Sequence, residues 1–503
     1  MLKPSSLFGN GAILCRDKEI RVFGETDLCA EVRVCLKNPD GKILAESVCV
    51  AADGRFDATL PPQQARTDGC TLTFTAGQET VTAEDILIGD VYLAGGQSNM
   101  EMSLWAAEEG QELIRIHDDP LLRYYNVPQK AIVNEELKKA NANARWTVIR
   151  PGNGGDMSAV AYFFAISARK ESGVPVGVID CYQGGTSITC WIGEDKLRQS
   201  EEGCRFLNDY NAICGGKDMT TFLAEENAWQ QQMEQWNREV EQFRNTYPDA
   251  EWSSVEEHCG KCPWNPPAGP GSPYRPGGLA VSMVKTVSPV TLTAVLFYQG
   301  ETDAGATEHY GNLLKDMTDQ WRTWFRNDEL PFIFAQLPMY IEAGKEDSGT
   351  WPVIRKAQTE ARKKITRCGT VCLLDQGEFN NLHPRRKRTV GERLWEQTKI
   401  TVFGLEGKQS PRAIRLEQDE NKLTVTLDQP VIQLKEKTLT EIAGSDGMYR
   451  PATVTVKENR MILEADGVRE PVHARYAWTD YGEPAFFGEN GYPLEPFELQ
   501  TLR

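Results

Sequence analysis

The first residues that could do chemistry lie in the segment AGGQSNMEM at positions 94–102. Ser98 follows Gly95 and Gly96, a pair that permits a tight turn after an apolar run. A serine exposed on such a turn is a nucleophile when a base lies within hydrogen-bond reach and N–H donors face the developing oxyanion. A serine in this place is also a common helix N-cap. The chemistry therefore depends on whether a base and donors converge on Ser98.

Candidates for the donors and the base follow three other apolar runs. The segment QGGTS contains Gly184 and Gly185, whose backbone N–H groups can approach a ligand because no Cβ stands in the way. The segment QGETD begins with Gln299, whose side-chain amide can donate. The segment QGEFNNLHP contains His383, the candidate base. Because ligands of open α/β sheets bind beyond the carboxyl ends of the strands, we expect these groups to converge.

Five apolar runs without strict alternation predict the strands that position these groups: DILIGDVYLAGG, VPVGVIDCY, LTAVLFYQG, LPFIFAQLP and GTVCLLDQG. Helical patterns lie between them, which predicts an α/β domain with a doubly wound parallel sheet over residues 86–409. A helical and Pro/Gly-rich insertion is expected at about 195–275. Alternating β-type patterns predict a β-sandwich-like domain over residues 1–85 and a β-rich domain over residues 410–503.

Composition excludes several classes of partner. The chain has 503 residues and a formal net charge of −17, which disfavours nucleic acid and anionic membrane surfaces because both require a basic footprint. No apolar run reaches the length of about 18 residues that a membrane helix requires. The N-terminal sequence lacks the apolar region of a signal peptide, so we expect a cytoplasmic protein. The sequence does not indicate an oligomeric state.

The cysteines predict neither a disulfide framework nor a metal site. There are 13 of them, an odd number, and most lie in apolar runs, which is typical of free buried thiols. The segment HCGKC brings together His258, Cys259 and Cys262, but a structural zinc site needs about four ligands. We therefore expect no metal and no cofactor.

The combination of GQSNM, GGT with a following Trp, QGE and a late HP makes this chain similar to a known family. It resembles the sialate O-acetylesterases, carbohydrate esterases of the SGNH hydrolase superfamily, over nearly its whole length. The resemblance implies an SGNH-type sheet and removal of acetyl groups from sugar hydroxyls. The expected partner is an acetylated sugar, either a small molecule or an oligosaccharide.

Carried over to this sequence, the resemblance implies a role for each site residue. Ser98 would be the nucleophile and His383 the general base. The backbone N–H groups of Ser98 and Gly185 would line the oxyanion hole, with the side chain of Gln299 as a further donor. The implied reaction forms an acetyl-enzyme on the serine and needs no metal or organic cofactor.

One position departs from the family pattern. An aspartate usually lies two or three residues before the histidine, where this chain has Asn381 and Asn380. Either asparagine could orient the ring of His383 through its amide oxygen, or a carboxylate from elsewhere could do so, or the protein could be a weak or inactive esterase. The carboxylate candidates are Asp375, Glu378 and Glu301.

Substrate contacts are predicted from charge and aromatic character. Arg385, in the basic stretch HPRRKR, and Arg275 are candidates for holding an anionic sugar carboxylate, although such a stretch is also typical of a solvated face. Trp191 and Trp264 are candidates for stacking on a sugar ring. Sialic acid is the substrate that the resemblance favours. Acetylated xylan, another plant glycan, or glycan binding without catalysis are the alternatives.

Overall fold

The structure is a computed structural model that describes residues 1–27, 31–247, 250, 252–264 and 266–501. Its strands are β1 (Leu2–Pro4), β2 (Ile13–Cys15), β3 (Ile20–Thr26), β4 (Glu31–Lys37), β5 (Ile43–Val50), β6 (Arg55–Leu60), β7 (Arg66–Ala76), β8 (Glu79–Gly96), β9 (Asp119–Asn126), β10 (Trp146–Ile149), β11 (Val176–Tyr182), β12 (Ala294–Tyr298), β13 (Phe332–Ala335), β14 (Cys368–Val371), β15 (Ala413–Asp419), β16 (Lys422–Leu427), β17 (Val431–Gln433), β18 (Thr440–Ala443), β19 (Arg450–Pro451), β20 (Thr453–Lys457), β21 (Arg460–Glu464), β22 (His473–Tyr476), β23 (Phe486–Gly488) and β24 (Phe497–Gln500).

The α-helices are α1 (Ser98–Glu101), α2 (Gly110–Ile116), α3 (Glu135–Asn143), α4 (Ala159–Ser172), α5 (Glu194–Leu197), α6 (Glu201–Cys214), α7 (Met219–Thr246), α8 (Trp252–Cys259), α9 (Lys285–Val287), α10 (Tyr310–Trp324), α11 (Thr350–Lys364) and α12 (Arg388–Thr398). None of these helices is long and apolar enough to cross a membrane.

The central sheet has the strand order β10-β9-β11-β8-β12-β13-β14. From β9 to β14 every neighbouring pair is parallel, whereas β10 pairs antiparallel with β9. All residues of β11, β12 and β13 are buried, which explains why these strands appear in the sequence as continuous apolar runs. The α/β class predicted from the sequence is confirmed.

The predicted sheet was wholly parallel, and the observed sheet is mixed. Strand β8 is 18 residues long, and its first half pairs antiparallel with β7 before its second half enters the parallel sheet. Strands β2, β4 and β5 connect to this same sheet, which has 11 strands in all. The expected domain boundary between residues 85 and 86 falls inside β8, which continues from one predicted domain into the next. The division of the chain into domains stays a prediction.

The strand order reverses beside β8. From β8 the chain forms β9, β10 and β11 on one side of that strand, and then β12, β13 and β14 on the other. In the parallel register Gly96 at the end of β8 is opposite both Tyr182 and Tyr298, the last residues of β11 and β12. A crevice for ligands is expected at such a reversal. The three segments that carry Ser98, Gly185 and Gln299 leave the sheet there side by side.

Residues 413–500 contain three smaller sheets: β15-β16-β21-β20, β17-β23 and β19-β18-β22-β24. Their apolar side chains form a second core that also includes Met339, Cys372 and Leu374 of the α/β part. The C-terminal β unit is therefore packed directly onto the strands and loops that hold the site.

Helices α5 to α8 and the loop that follows them lie between β11 and β12, where the sequence predicted a helical insertion. Tryptophans on α7 attach the following loop to the helix: the indole N–H of Trp229 donates to Pro263 O at 2.7 Å, and that of Trp236 donates to Gly260 O at 3.0 Å. These bonds direct the loop that ends in Trp264 back toward the sheet.

Candidate active site

Ser98 lies on a turn that only glycine can form. Gly96 has φ +134°, and a Cβ atom at this position would lie 2.0 Å from Tyr298 O. The chain can therefore pass close to β12, where Gln97 N donates to Tyr298 O at 3.0 Å, and then begin α1 at Ser98. The serine is thereby held at the carboxyl end of the central strand.

His383 meets Ser98 although 285 positions separate them in the sequence. Its Nε2 lies 2.7 Å from Ser98 Oγ. His383 keeps an exposed face, and its pKa is lowered to about 4, first by desolvation of the ring within the site and then by the positive charge of Lys387. A neutral imidazole accepts the hydroxyl proton through Nε2, so the pair has the geometry and the protonation state of a nucleophile with its base.

Backbone N–H groups lie beside the serine. A Cβ built on Gly184 would lie 3.4 Å from Ser98 Cβ, which places the QGGTS turn against the nucleophile. The N–H of Gly184 donates to the carboxylate of Glu101. Among the described residues, the N–H of Gly185 has no acceptor, and Ser98 is the first residue of α1, where N–H groups lack helical partners. Both predicted backbone donors therefore remain available to an oxyanion.

Gln299 does not have the role expected of it. Its amide N–H group donates to Gln97 Oε1 at 3.1 Å, to Thr186 O at 3.0 Å and to Asp303 Oδ2 at 2.5 Å, and the whole residue is buried. The amide has two hydrogens, and both are engaged by protein acceptors. This arrangement leaves no free amide hydrogen on Gln299 for an oxyanion; the side chain instead links the segments that follow β8, β11 and β12.

The ring of His383 has no orienting partner on Nδ1 among the described residues. Asp375 forms a two-bond ion pair with Arg393, at 2.6 and 2.7 Å. Asn380 accepts the N–H of Ala343 at 2.8 Å. Neither side chain hydrogen-bonds the imidazole in this structure, so neither is seen to orient the ring.

The other three candidates also bind elsewhere. Asn381 Oδ1 accepts the backbone N–H of His383 at 3.1 Å, and its Nδ2 donates to Glu378 Oε2 at 2.7 Å. Glu301 accepts from Asn99 at 2.7 Å. None of these groups contacts the ring, so they too are not its orienting partners. The structure thus shows Ser98 and His383 in direct side-chain contact, with His383 held through its main chain.

The residues predicted to bind substrate differ in burial and in how far their hydrogen-bonding groups are occupied. Trp191 is fully buried and donates to Thr186 Oγ1 at 3.0 Å, so the expectation that it stacks on a sugar is wrong. Arg275 donates to Ala131 O at 2.9 Å and Ser272 O at 3.2 Å, which commits part of its guanidinium to loop carbonyls. Arg385 is exposed, and only its Nε is engaged, with Ala106 O at 2.9 Å. Arg385 therefore remains available to a ligand.

Trp264 lies against Gly185 and is partly exposed to solvent. Its side chain is 47% exposed, and a Cβ on Gly185 would lie 2.2 Å from Trp264 Cζ2. The indole packs edge-on against Tyr274, with ring centroids 5.6 Å apart. The insertion thus places an aromatic surface directly beside the free N–H of Gly185.

Two buried side chains beside the segments of Ser98 and His383 escaped the sequence analysis: Lys387 and Asn99. Lys387 belongs to the basic stretch HPRRKR, which is typical of a solvated face, yet Lys387 is buried and precedes α12, which begins at Arg388. Asn99 follows the nucleophile and is also fully buried. Burial lowers the pKa of Lys387 to about 7, although the charges of Glu301 and Glu378 oppose that shift.

The side chains of the HCGKC segment do not form a ligand cluster in the described part of the chain. There, no group of three or more His, Cys, Asp or Glu side chains has the arrangement that a metal ion requires. The thiol of Cys262 instead contacts Met233 Sδ at 3.9 Å.

A serine hydroxyl bonded to an imidazole beside free N–H groups is an arrangement suited to acyl transfer. The comparisons with known proteins agree with that chemistry. Residues 264–398 match the family model described as carbohydrate esterase, sialic acid-specific acetylesterase. The resemblance to sialate O-acetylesterases that the motifs indicated is thereby confirmed, and it extends to curated relatives over most of the chain.

The sialate O-acetylesterase of Mus musculus is 25% identical over 461 residues, which cover 84% of this chain and 79% of the relative. The sialate O-acetylesterase of Homo sapiens is 24% identical over 457 residues, which cover 83% of this chain and 76% of the relative. Among solved structures, a carbohydrate acetylesterase from Xanthomonas citri aligns over 100% of both chains with a TM-score of 0.77 and 24% identity. That structural match shows that the two chains share a fold.

Proposed function

We propose that this protein is a serine carbohydrate O-acetylesterase with an SGNH-type hydrolase domain, and that its substrate is an O-acetylated sialic acid. The observation that carries the proposal is the 2.7 Å contact between Ser98 Oγ and His383 Nε2 beside the open N–H of Gly185. The matches to sialate O-acetylesterases support the choice of reaction and sugar.

The reaction has two acyl-transfer steps. His383 Nε2 takes the proton of Ser98 as Oγ attacks the acetyl carbonyl, and the N–H groups of Ser98 and Gly185 stabilise the oxyanion. The imidazolium then protonates the sugar oxygen as its bond to the acetyl carbon breaks, leaving acetyl-Ser98. In the second step His383 takes a proton from water, whose oxygen attacks the acetyl carbon, and returns it to Ser98 as acetate leaves. Every step uses protein groups and water.

The choice of an anionic sugar rests on charge beside the base. Arg385, two residues after His383, has free N–H groups. Arg244 on α7 lies near it: the pKa of Arg244 is lowered by burial and then by the charge of Arg385. These two cations supply local positive charge on a molecule whose formal net charge is −17. A planar guanidinium suits the carboxylate of sialic acid.

Acetate release from O-acetylated sialic acid tests the reaction. Ser98→Ala should lower kcat by at least about 10³-fold, because both steps need the hydroxyl. Ser103→Ala, which changes a serine on the same segment beyond α1, should remain within about twofold of wild type. Turnover by Ser98→Ala at the wild-type rate would refute the proposal.

Comparison of two substrates tests the sugar. Arg385→Ala should raise KM for acetylated sialic acid by about 10-fold, the loss of one charge-assisted contact, and leave KM for a neutral acetylated xylose unchanged. An equal effect on both substrates, or a wild-type preference for the neutral sugar, would favour a plant-glycan esterase instead.

A further inference from the structure

Asn99 joins the segment of the nucleophile to the segment of the base. Its Nδ2 donates to Leu382 O at 3.1 Å, and Leu382 is the residue immediately before His383. Asn99 itself immediately follows Ser98. One buried side chain therefore connects two loops that 283 positions separate in the sequence.

The groups at the two ends of the amide fix its orientation. At one end, Lys387 Nζ donates to Asn99 Oδ1 at 2.6 Å. At the other end, Nδ2 also donates to Glu301 Oε1 at 2.7 Å. A carbonyl and a carboxylate accept hydrogen bonds and an ammonium donates them, so a rotated amide would lose all three contacts. The three side chains are buried, where such a loss is costly.

The main chain of His383 is then held from both sides. Asn99 binds the carbonyl of Leu382, and Asn381 Oδ1 accepts the N–H of His383 at 3.1 Å. In most serine hydrolases an acidic side chain on Nδ1 fixes the imidazole. Here Nδ1 has no such partner among the described residues, and the main-chain contacts remain as the restraint on the ring's position.

We propose that Asn99 is a positioning residue for catalysis: locked by Lys387 and Glu301, it holds the loop of His383 against Ser98 in place of an acidic triad member. Asn99 does not touch the reacting atoms and acts only through His383. The proposal rests on the proposed dyad and adds how that dyad is assembled.

The Asn99 amide lies between two buried ionisable side chains, Lys387 and Glu301. Lys387 faces Glu301, Glu378 and His383, and its Nζ lies 5.9 Å from the centroid of the Tyr298 ring. Glu301 Oε2 has no hydrogen-bond partner among the described atoms, and burial raises the pKa of this carboxyl. Lys387 and Glu301 thus bind opposite ends of the same amide and attract each other electrostatically, which offsets part of the cost of burying both charges.

The test is the rate at which a fluorophosphonate labels Ser98, measured together with kcat and KM for a small chromogenic acetyl ester. Asn99→Asp keeps the shape and the contact with Lys387 but replaces both donated bonds with repulsion. We expect a fall of about 10²-fold in labelling rate and in kcat with KM unchanged, the size of effect caused by a misplacement of about 1 Å. Asn99→Ala should likewise lower the labelling rate and kcat and leave KM unchanged, without adding a charge. Lys387→Met should lower kcat by about 10-fold.

Asn143→Asp, an exposed asparagine at the end of α3, is the matched control and should label like wild type. Only variants whose unfolding midpoint shows that they are folded are compared. Either Asn99 variant is sufficient for the test if the other fails to fold. Folded Asn99 variants that label at the wild-type rate, or that change KM alone, would overturn the positioning role while leaving the dyad intact. If wild type neither labels nor releases acetate, the proposed function fails first.

Discussion

His383 lacks the carboxylate that usually shares the charge of the imidazolium in a serine hydrolase. The three candidate acids, Glu301, Glu378 and Asp375, bind asparagine or arginine side chains instead of the ring. The surroundings of the ring therefore favour the neutral base and disfavour the charged intermediate. A dyad of this kind retains the base function but forgoes the stabilisation that an acidic third member supplies.

The pH dependence of the reaction follows from this environment. Only neutral His383 accepts the serine proton, and its pKa is lowered from an ordinary value of 6.5 to about 4 by the surrounding protein atoms and by Lys387. kcat/KM should therefore stay high as pH falls below 6.5 and decline only toward about pH 4. Lys387→Met, which removes a positive charge, should move this decline to higher pH. A wild-type decline centred at or above pH 6.5 would contradict the assigned environment.

Position 185 requires glycine for two reasons: its backbone has a positive φ, and there is no room for a Cβ atom. Its φ is +71°, and a Cβ would overlap Trp264 at 2.2 Å. Gly185→Ala should displace both the open N–H and the indole, and we expect kcat/KM for the acetyl ester to fall by about 10²-fold. Gly215→Ala is the control, because φ there is +58° but nothing lies within 4 Å of the added methyl group. Equal losses in the two variants would mean that backbone strain alone is responsible.

At the scale of elements, the strands that could be predicted are those buried on both faces. Strands β11, β12 and β13 are uninterrupted apolar runs, so the sequence indicated both their positions and their parallel pairing. Strands β9 and β10 were not predicted. Strand β10 has only four residues, and β9 includes an exposed proline and several half-buried polar positions, so neither shows a clear period.

The side chains at the strand ends were harder to predict than the strands. The sequence places Gln299 at the edge of the sheet, but it does not show that the amide turns inward to Gln97, Thr186 and Asp303. In the same way, a lysine inside a basic run carries no local sign that it is buried, as Lys387 is. Direction and burial depend on partners far away in the sequence, which a local pattern does not contain.

Helix α11 attaches the C-terminal β unit to the α/β part through a buried arginine. Arg355 donates to Ala477 O at 3.1 Å and to Thr479 O, both on the segment that follows β22. Removing a buried donor leaves these carbonyls unsatisfied, so Arg355→Met should lower the free energy of unfolding by about 2–4 kcal/mol in urea titrations. Lys363→Met, on the exposed face of the same helix, should stay within about 0.5 kcal/mol. Equal midpoints for the two variants would show that this attachment contributes little.

At the scale of the whole molecule, the site exists only because the sheet brings distant segments together. The nucleophile follows β8, an open N–H follows β11, and the base follows β14 three strands away. The insertion between β11 and β12 adds Trp264 at the rim. The formal net charge of −17 disfavours anionic ligands in general, so the proposed preference for an anionic sugar depends on the arginines near His383.

Mass-spectrometric mapping of a fluorophosphonate adduct tests the central claim most directly, because the adduct forms only where a base activates a serine. We predict that the label lies on Ser98 in the wild-type protein, and that His383→Ala slows labelling by at least about 10³-fold. An adduct on another residue, or labelling of Ser98 at the same rate without the imidazole, would contradict the assignment of Ser98 and His383 as a working pair.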